Sequence, residues 1–452
     1  MEDPTSSVLL TDFYQLTMLH GYFRESMEET AVFELFVRKL PPRRGFLLAA
    51  GLEQALEFLE SLRFTADELA WLEENGRFDR SFLDRLAKLR FTGDVDALPE
   101  GTVCFPNEPI LRIAAPLPQA QLVETRLMNL IHLETMIASK AARSVLAAPD
   151  KLLVDFGLRR THGAEAGLLA ARATYLAGFA GTATVLAGRR FGIPLYGTMA
   201  HSFVQAHVDE AAAFEHFARA QPDNVILLID TYDTEAGAAK VVEVATRLRR
   251  DNIAVKGVRL DSGDLAEHAR RVRRILDAGG LNQAIIFASG NLDEDELTRL
   301  VAAGAPIDGF GVGTRLDTSA DAPYLDMAYK LQEYAGRARR KRSEGKATWP
   351  GRKQVFRHRD RDGRITRDVL TLEADRQAGE PLLLPCMRAG RRLAPAPSLE
   401  EARRRTAQQL AQLPEHLRRL ETVPPYEVEV APALRELARA VDEGLPLEPA
   451  GA

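Results

Sequence analysis

The chain has 452 residues, 46% of them apolar and 27% charged, with a formal net charge of −5. This length suits two to four domains or one barrel with attachments, and the charge excludes a globally basic surface for nucleic acid or anionic lipid. Two cysteines, Cys104 and Cys386, with no CxxC pair exclude a cysteine-rich zinc site and a disulfide framework and favour a reducing cytoplasm, and no apolar run approaches the ~18 residues of a membrane span.

The start, Met1-Glu2-Asp3-Pro4-Thr5-Ser6-Ser7, is acidic and polar, unlike a signal peptide. Leu9-Leu10-Thr11-Asp12 reads as an N-cap leading into a helix from Phe13 to Met18, and Ala31–Val37 alternates as a strand. Residues 65–90 predict two short charged helices and 100–118 a small all-β piece. Residues 119–146 predict a long helix, with Leu122, Leu127, Leu130 and Ile131 at helical spacing.

From about 150 to 315 short apolar runs recur, most followed by a helical stretch. The runs are Leu152–Phe156, Thr182–Leu186, Ile193–Tyr196, Val225–Ile229, Ile253–Val258, Ile285–Ala288 and Ile307–Val312. Helical periodicity fills 236–250, 264–278 and 293–303. Such βα repetition packs as parallel strands covered by helices, and seven strands predict a closed or nearly closed barrel over an open doubly wound sheet. No G-x-G-x-x-G opens a first strand–helix turn, which counts against a Rossmann fold. The tail, 336–452, is basic at first, then helical and proline-spotted, with a frayed end from Pro446.

In a parallel barrel the loops after the strands converge on one mouth. Gly197-Thr198-Met199-Ala200-His201-Ser202 puts His201 in the first turn of a helix, where unpaired N–H groups and the dipole favour anions. An imidazole there can accept a phosphate, carry a proton or donate to a transition state, or it packs the helix end. The other strands end in Phe156-Gly157-Leu158-Arg159-Arg160, Asp230-Thr231-Tyr232-Asp233, Arg259-Leu260-Asp261-Ser262-Gly263-Asp264, Ser289-Gly290-Asn291 and Gly311-Val312-Gly313-Thr314-Arg315. Singly, Asp233 and Asp264 suit helix caps, and Gly311 and Gly313 a turn.

Together these loops describe a site for a phosphorylated, hydroxyl-bearing substrate. Amides of Gly290, Asn291, Gly311 and Gly313 can cradle a phosphate, and Asp261 can accept from ribose hydroxyls. Asp230 and Asp233 can hold Mg²⁺ directly or through water, and Arg159 and Arg259 can fork onto a carboxylate or phosphate. Eight cations lie between Arg337 and Lys353. With little aromatic interleaving they read as a solvated run, not a nucleic-acid patch.

The chain resembles the nicotinate phosphoribosyltransferase family. The resemblance is carried by Leu10-Thr11-Asp12-Phe13-Tyr14-Gln15, Phe33-Glu34-Leu35-Phe36-Val37-Arg38 with Gly45-Phe46, and the Phe156, Gly197 and Arg259 segments quoted above. Tyr329-Lys330-Leu331, Ser343-Glu344-Gly345-Lys346-Ala347-Thr348 and Pro350-Gly351-Arg352-Lys353-Gln354 complete it, in the family's order over roughly residues 8–358. The resemblance implies condensation of nicotinate with phosphoribosyl pyrophosphate to nicotinate mononucleotide and pyrophosphate, coupled to ATP hydrolysis, in NAD salvage. It also implies an α/β fold, an irregular seven-stranded type II phosphoribosyltransferase barrel with a second β-rich (α+β) domain from the N- and C-terminal segments. The expected division is 1–118, 119–330 for the barrel, and 331–452 returning to the N-terminal domain with a helical tail. A cytoplasmic homodimer with shared active sites is implied too.

Carried over by residue, the resemblance makes His201 the histidine that ATP phosphorylates, with Mg²⁺ and pyrophosphate ordered nearby. Tyr14 and Phe156 become the aromatic pair around the pyridine ring. Arg159 and Arg259 hold the nicotinate carboxylate or the nucleotide phosphate, and Asp261 the ribose. Gly290, Asn291, Gly311 and Gly313 take the 5′-phosphate, with Thr198, Ser289 and Thr314 also binding substrate. The basic run near residue 340 is then assigned to pyrophosphate or ATP. The closest rival is the nicotinamide-using relative, against which the Arg159-Arg160 pair favours an acid substrate. A non-catalytic nucleotide-binding relative is opposed by the intact set Tyr14, Arg159, His201, Arg259 and Asp261. A barrel lyase or isomerase needs a base such as a strand lysine, and Lys256 is the one lysine on a proposed barrel strand, ahead of its end.

Overall fold

The computed structural model describes residues 4–444. They fall into two compact units, one reaching to Ser139 and resuming at Tyr324, the other Lys140–Pro323. Divisions at 118/119 and 330/331 would fall within the helix Leu117–Leu122 and the strand Met327–Tyr334. The end from Pro446 lies outside the described residues.

In the first unit an antiparallel sheet runs in the order Arg337–Ala338, Met327–Tyr334, Thr30–Val37, Pro109–Pro116, Asp94–Ala97, Leu384–Arg388, Arg391–Arg392. Thr30–Val37 buries every residue after Thr30, so both its faces are covered instead of one. Its Glu34 is neutralised by Lys353 Nζ at 2.7 Å. A second sheet joins Glu380–Pro381, Lys353–Arg359, Ile365–Leu372 and Glu429–Val430. The tail therefore carries strands where its sequence reads as helical. The cause is visible in Arg357 and Asp368, a fully buried ion pair at 2.6 Å whose charges disguise two core strands.

The predicted pair of charged helices is Ala66–Glu74 and Arg80–Lys88, and the helix predicted over 119–146 is interrupted at Val123 into Leu117–Leu122 and Glu124–Ala147. Asp12 occupies the N-cap position of Phe13–Arg24 without capping it; its carboxylate instead accepts from Thr125 Oγ1 at 2.9 Å.

The second unit is built on a parallel sheet ordered Gly181–Thr182, Leu152–Asp155, Gly309–Val312, Ile285–Ser289, Gly257–Leu260, Ile226–Leu228. Two expected strands are shortened. Thr182 turns its hydroxyl to Asp155 and accepts from Thr184 N, so the chain leaves the sheet and Val185 and Leu186 open the helix Val185–Phe191. Ile193–Tyr196 contains Pro194, which has no N–H to give, and is left with the single parallel bridge Thr182↔Leu195. The run at Ile253–Val258 is shifted to Gly257–Leu260, placing Lys256 before the strand. The helices Thr234–Leu248, Leu265–Ala278 and Glu294–Ala302 begin as the periodicity predicts, each capped by an aspartate: Asp233, Asp264 and Asp293.

Candidate active site

Because the strands are parallel, the residues following them gather at one edge of the sheet. A cleft of about 430 Å³ opens there, lined by Phe156, Arg159, Asp261, Ser289, Gly290, Asn291, Gly311, Gly313 and Thr314 of the expected set, with Arg160, Ser262, Gly263 and Leu265. Its floor depends on small residues. A Cβ on Gly311 would press on the Phe156 ring at 2.5 Å, and one on Gly290 would lie 2.1 Å from the Asp261 carbonyl oxygen. Gly290 also holds φ +99°, a conformation few other residues adopt.

Asp261 is fixed from two sides. Ser289 Oγ donates to its Oδ1 at 2.5 Å, and its own N–H donates to Asp230 Oδ2 at 2.9 Å. Ser262 Oγ also donates to Asp230 Oδ2, at 2.6 Å, whereas Asp230 Oδ1 is buried without a partner. Asp233 spends Oδ1 on Ala236 N at 2.7 Å, the cap of its helix. Among the described residues no group of three or more histidine, cysteine, aspartate or glutamate side chains is arranged to hold a metal ion.

His201 is the first residue of the short helix His201–Gln205, as its sequence predicts. Its Nδ1 lies 3.2 Å from Thr231 Oγ1, and its Nε2 faces Asp261 Oδ2 at 3.9 Å. Arg259 donates through Nη1 to Thr198 Oγ1 and, at 3.1 Å, to Met199 O, tying the strand end to the histidine loop. Its Nε is buried without an acceptor. Burial lowers its guanidinium from the usual arginine range; Asp261 and Asp230 oppose that, and Arg159 adds to it. Two mutually repelling cations with an unused buried donor make a place for an anion.

Arg160, read from the sequence as half of the Arg-Arg pair that favours an acid substrate, lines the cleft and donates to Thr314 Oγ1 at 2.9 Å. Sequence reasoning passed over two side chains. Asp155 and Asp317 lie buried behind the loops, with no signal in a linear pattern. Tyr14 belongs to the first unit, where its exposed ring lies in a cleft with Asp12, Glu124 and His132.

Three family models match the chain: the nicotinate phosphoribosyltransferase N-terminal domain over residues 9–132, the nicotinate phosphoribosyltransferase family over 152–346, and the C-terminal domain over 374–438. A nicotinate phosphoribosyltransferase of Mycobacterium tuberculosis is 52% identical over 434 residues, 95% of this chain and 93% of that one. One from Bacillus subtilis is 43% identical over 357 residues, 77% and 72% of the two chains. The crystal structure of human nicotinic acid phosphoribosyltransferase superposes with a TM-score of 0.86 at 31% identity, covering 95% of this chain and 99% of that one.

Proposed function

The chain belongs to the nicotinate phosphoribosyltransferase family, and we propose that it performs that reaction through the cleft of its second unit. It condenses nicotinate with phosphoribosyl pyrophosphate to nicotinate mononucleotide and pyrophosphate, a step of NAD salvage. The observation that carries the site assignment is the pairing of an under-compensated Arg259 with a braced Asp261 above glycine-rich loops.

In this reading Asp261 takes ribose hydroxyls, and the amides around Gly290 and Gly313 take the 5′-phosphate. Phe156 offers its ring face to the pyridine, and Arg159 and Arg259 balance the carboxylate or phosphate. As the bond from C1 to pyrophosphate breaks, C1 becomes cationic and the nicotinate nitrogen attacks it. That nitrogen has no proton to lose, so positioning and electrostatics carry the rate.

We propose further that His201 is a phosphoryl carrier, with a ring nitrogen attacking the γ-phosphorus of ATP and ADP leaving. Support comes from its place beside Thr231 and Asp261 at the cleft edge. Mg²⁺, when bound, would neutralise charge on the departing pyrophosphate; the unpartnered Asp230 Oδ1 fits it, with substrate phosphates completing the shell. The family resemblance alone supports Tyr14 as a second ring-holding aromatic, a homodimer with shared sites and a cytoplasmic location. No described helix is long and apolar enough to cross a membrane.

Assays with nicotinate and nicotinamide, each with and without ATP, test the reading. Nicotinate mononucleotide is expected from nicotinate, and turnover of nicotinamide alone would overturn the substrate. Label from the γ-phosphate of ATP is expected on the protein and absent in His201→Ala, together with the ATP-dependent gain. Unchanged ATP-coupled turnover in that variant would remove the phosphohistidine.

A further inference from the structure

Two buried carboxyl groups lie behind the loops of the cleft. Asp155 ends the strand Leu152–Asp155 and is 0% exposed; Asp317 ends the helical turn Thr314–Asp317 and is 4% exposed. Asp155 is the register partner of Val312 in the neighbouring strand. From that pairing one chain segment leads to Phe156 and Arg159, the other to Gly313 and Thr314. Asp155 Oδ1 accepts from Gly157 N at 2.8 Å, and Oδ2 from Thr182 Oγ1 at 2.6 Å.

Both oxygens of Asp317 are buried with no donor reaching them. Asp317 nonetheless abuts the same turn: a Cβ on Gly157 would lie 2.1 Å from its Oδ2. Gly157 has an ordinary φ of −92°, so this glycine answers a demand for space, not for conformation.

Two carboxylates side by side in a buried site cannot both be ionised. Burial first, then the charge and hydrogen bond of Asp155, push Asp317 well above the usual carboxylate range. Burial raises Asp155 too, but the hydrogen bonds from Thr182 and Gly157, and then the neighbouring Asp317, work the other way and favour its charged form. Among the described residues no other ionisable group acts on either member.

We propose that Asp317 is protonated and donates to Asp155, so that one shared proton fastens the Phe156–Arg160 loop to the Gly313–Thr314 loop. The pair holds the pyridine platform at a fixed offset from the phosphate cradle. Neither residue lines the cleft, so both are positioning residues. The functional side of this proposal rests on Phe156 and Arg159 holding nicotinate.

The pH consequence has a definite sign. The native state keeps a proton that the unfolded chain has lost above the usual carboxylate range, so stability falls as pH rises from there through the raised Asp317 value. An asparagine amide donates the same bond without titrating.

Asp317→Asn and Asp317→Ala in the full chain separate the possibilities. Asp317→Asn should keep kcat and the nicotinate KM within about twofold while flattening the loss of thermal stability with rising pH. Asp317→Ala should raise the nicotinate KM about tenfold to a hundredfold, with less effect on the KM for phosphoribosyl pyrophosphate. An infrared carbonyl band of a protonated carboxyl, stronger in the native protein than in Asp317→Asn by one group's worth, reads the proton without any turnover. It therefore stands even if nicotinate is not the substrate, and Asp317→Asn supplies the answer if Asp317→Ala does not fold. Identical carboxyl bands in the native protein and Asp317→Asn, or an unchanged loss of stability with rising pH in Asp317→Asn, would overturn the proposal.

Discussion

Arg259 is a cation kept where burial works against it, and its surroundings say what it awaits. Thr198 and Met199 use Nη1, but Nε stays buried and unpaired, and Arg159 adds repulsion. In the proposed reaction a bound carboxylate or phosphate offsets the repulsion between Arg259 and Arg159. Arg259→Ala should lower kcat/KM about a hundredfold, near 3 kcal/mol of transition-state stabilisation. Arg259→Lys should recover only part of that, because an ammonium lacks the planar fork. Steady-state kinetics with each substrate varied will tell: a lysine variant equal to the native enzyme would refute forked recognition. At this scale the sequence was partly legible. A histidine after a glycine–threonine turn, and glycines after strands, announce themselves by spacing. Asp155 and Asp317 do not, because what makes them special is burial side by side, from distant parts of the chain.

The helices Thr234–Leu248, Leu265–Ala278 and Glu294–Ala302 of the parallel unit were legible because each begins with an aspartate cap. The strands were less so: a proline at 194 and the inward turn of Thr182 cut short runs that look long enough. The tail strands were hidden for the opposite reason, since Arg357 and Asp368 place full charges inside the core. Capping also divides the two aspartates read as magnesium ligands. Asp233 accepts from Ala236 N at its helix start, whereas Asp230 keeps a buried oxygen free. Asparagine caps a helix as well as aspartate. Asp233→Asn should therefore leave the melting temperature unchanged and kcat/KM within about twofold of native. Asp230→Asn should lower kcat/KM at least about tenfold and raise the Mg²⁺ concentration needed for half-maximal rate. A magnesium titration of both variants checks this, and an equal shift in the two would make Asp233 a metal ligand alongside Asp230.

Across the whole molecule, each unit encloses a carboxyl group that prefers its proton. In the second unit it is Asp317. In the first it is Glu108, 0% exposed, whose Oε2 accepts from Phe105 N at 2.8 Å while Oε1 has no donor. Burial first, then the charge of Asp368, raise Glu108 well above the usual carboxylate range, although Arg357 opposes them. Asp368, whose charge helps raise Glu108, is itself paired with Arg357. Glu108 and Asp317 both bind a proton in the native state that the unfolded chain releases above about pH 4. Each therefore makes stability decline as pH rises, and because bound protons are counted additively, so are the slopes. Melting temperature measured against pH should fall in the native protein as pH rises above the usual carboxylate range. Glu108→Gln, which keeps the donor, should flatten part of that fall, Asp317→Asn another part, and the double variant both. A Glu108→Gln curve parallel to the native one would mean that Glu108 is already ionised in the folded chain, and that the Arg357–Asp368 pair carries an unshared second negative charge in its core.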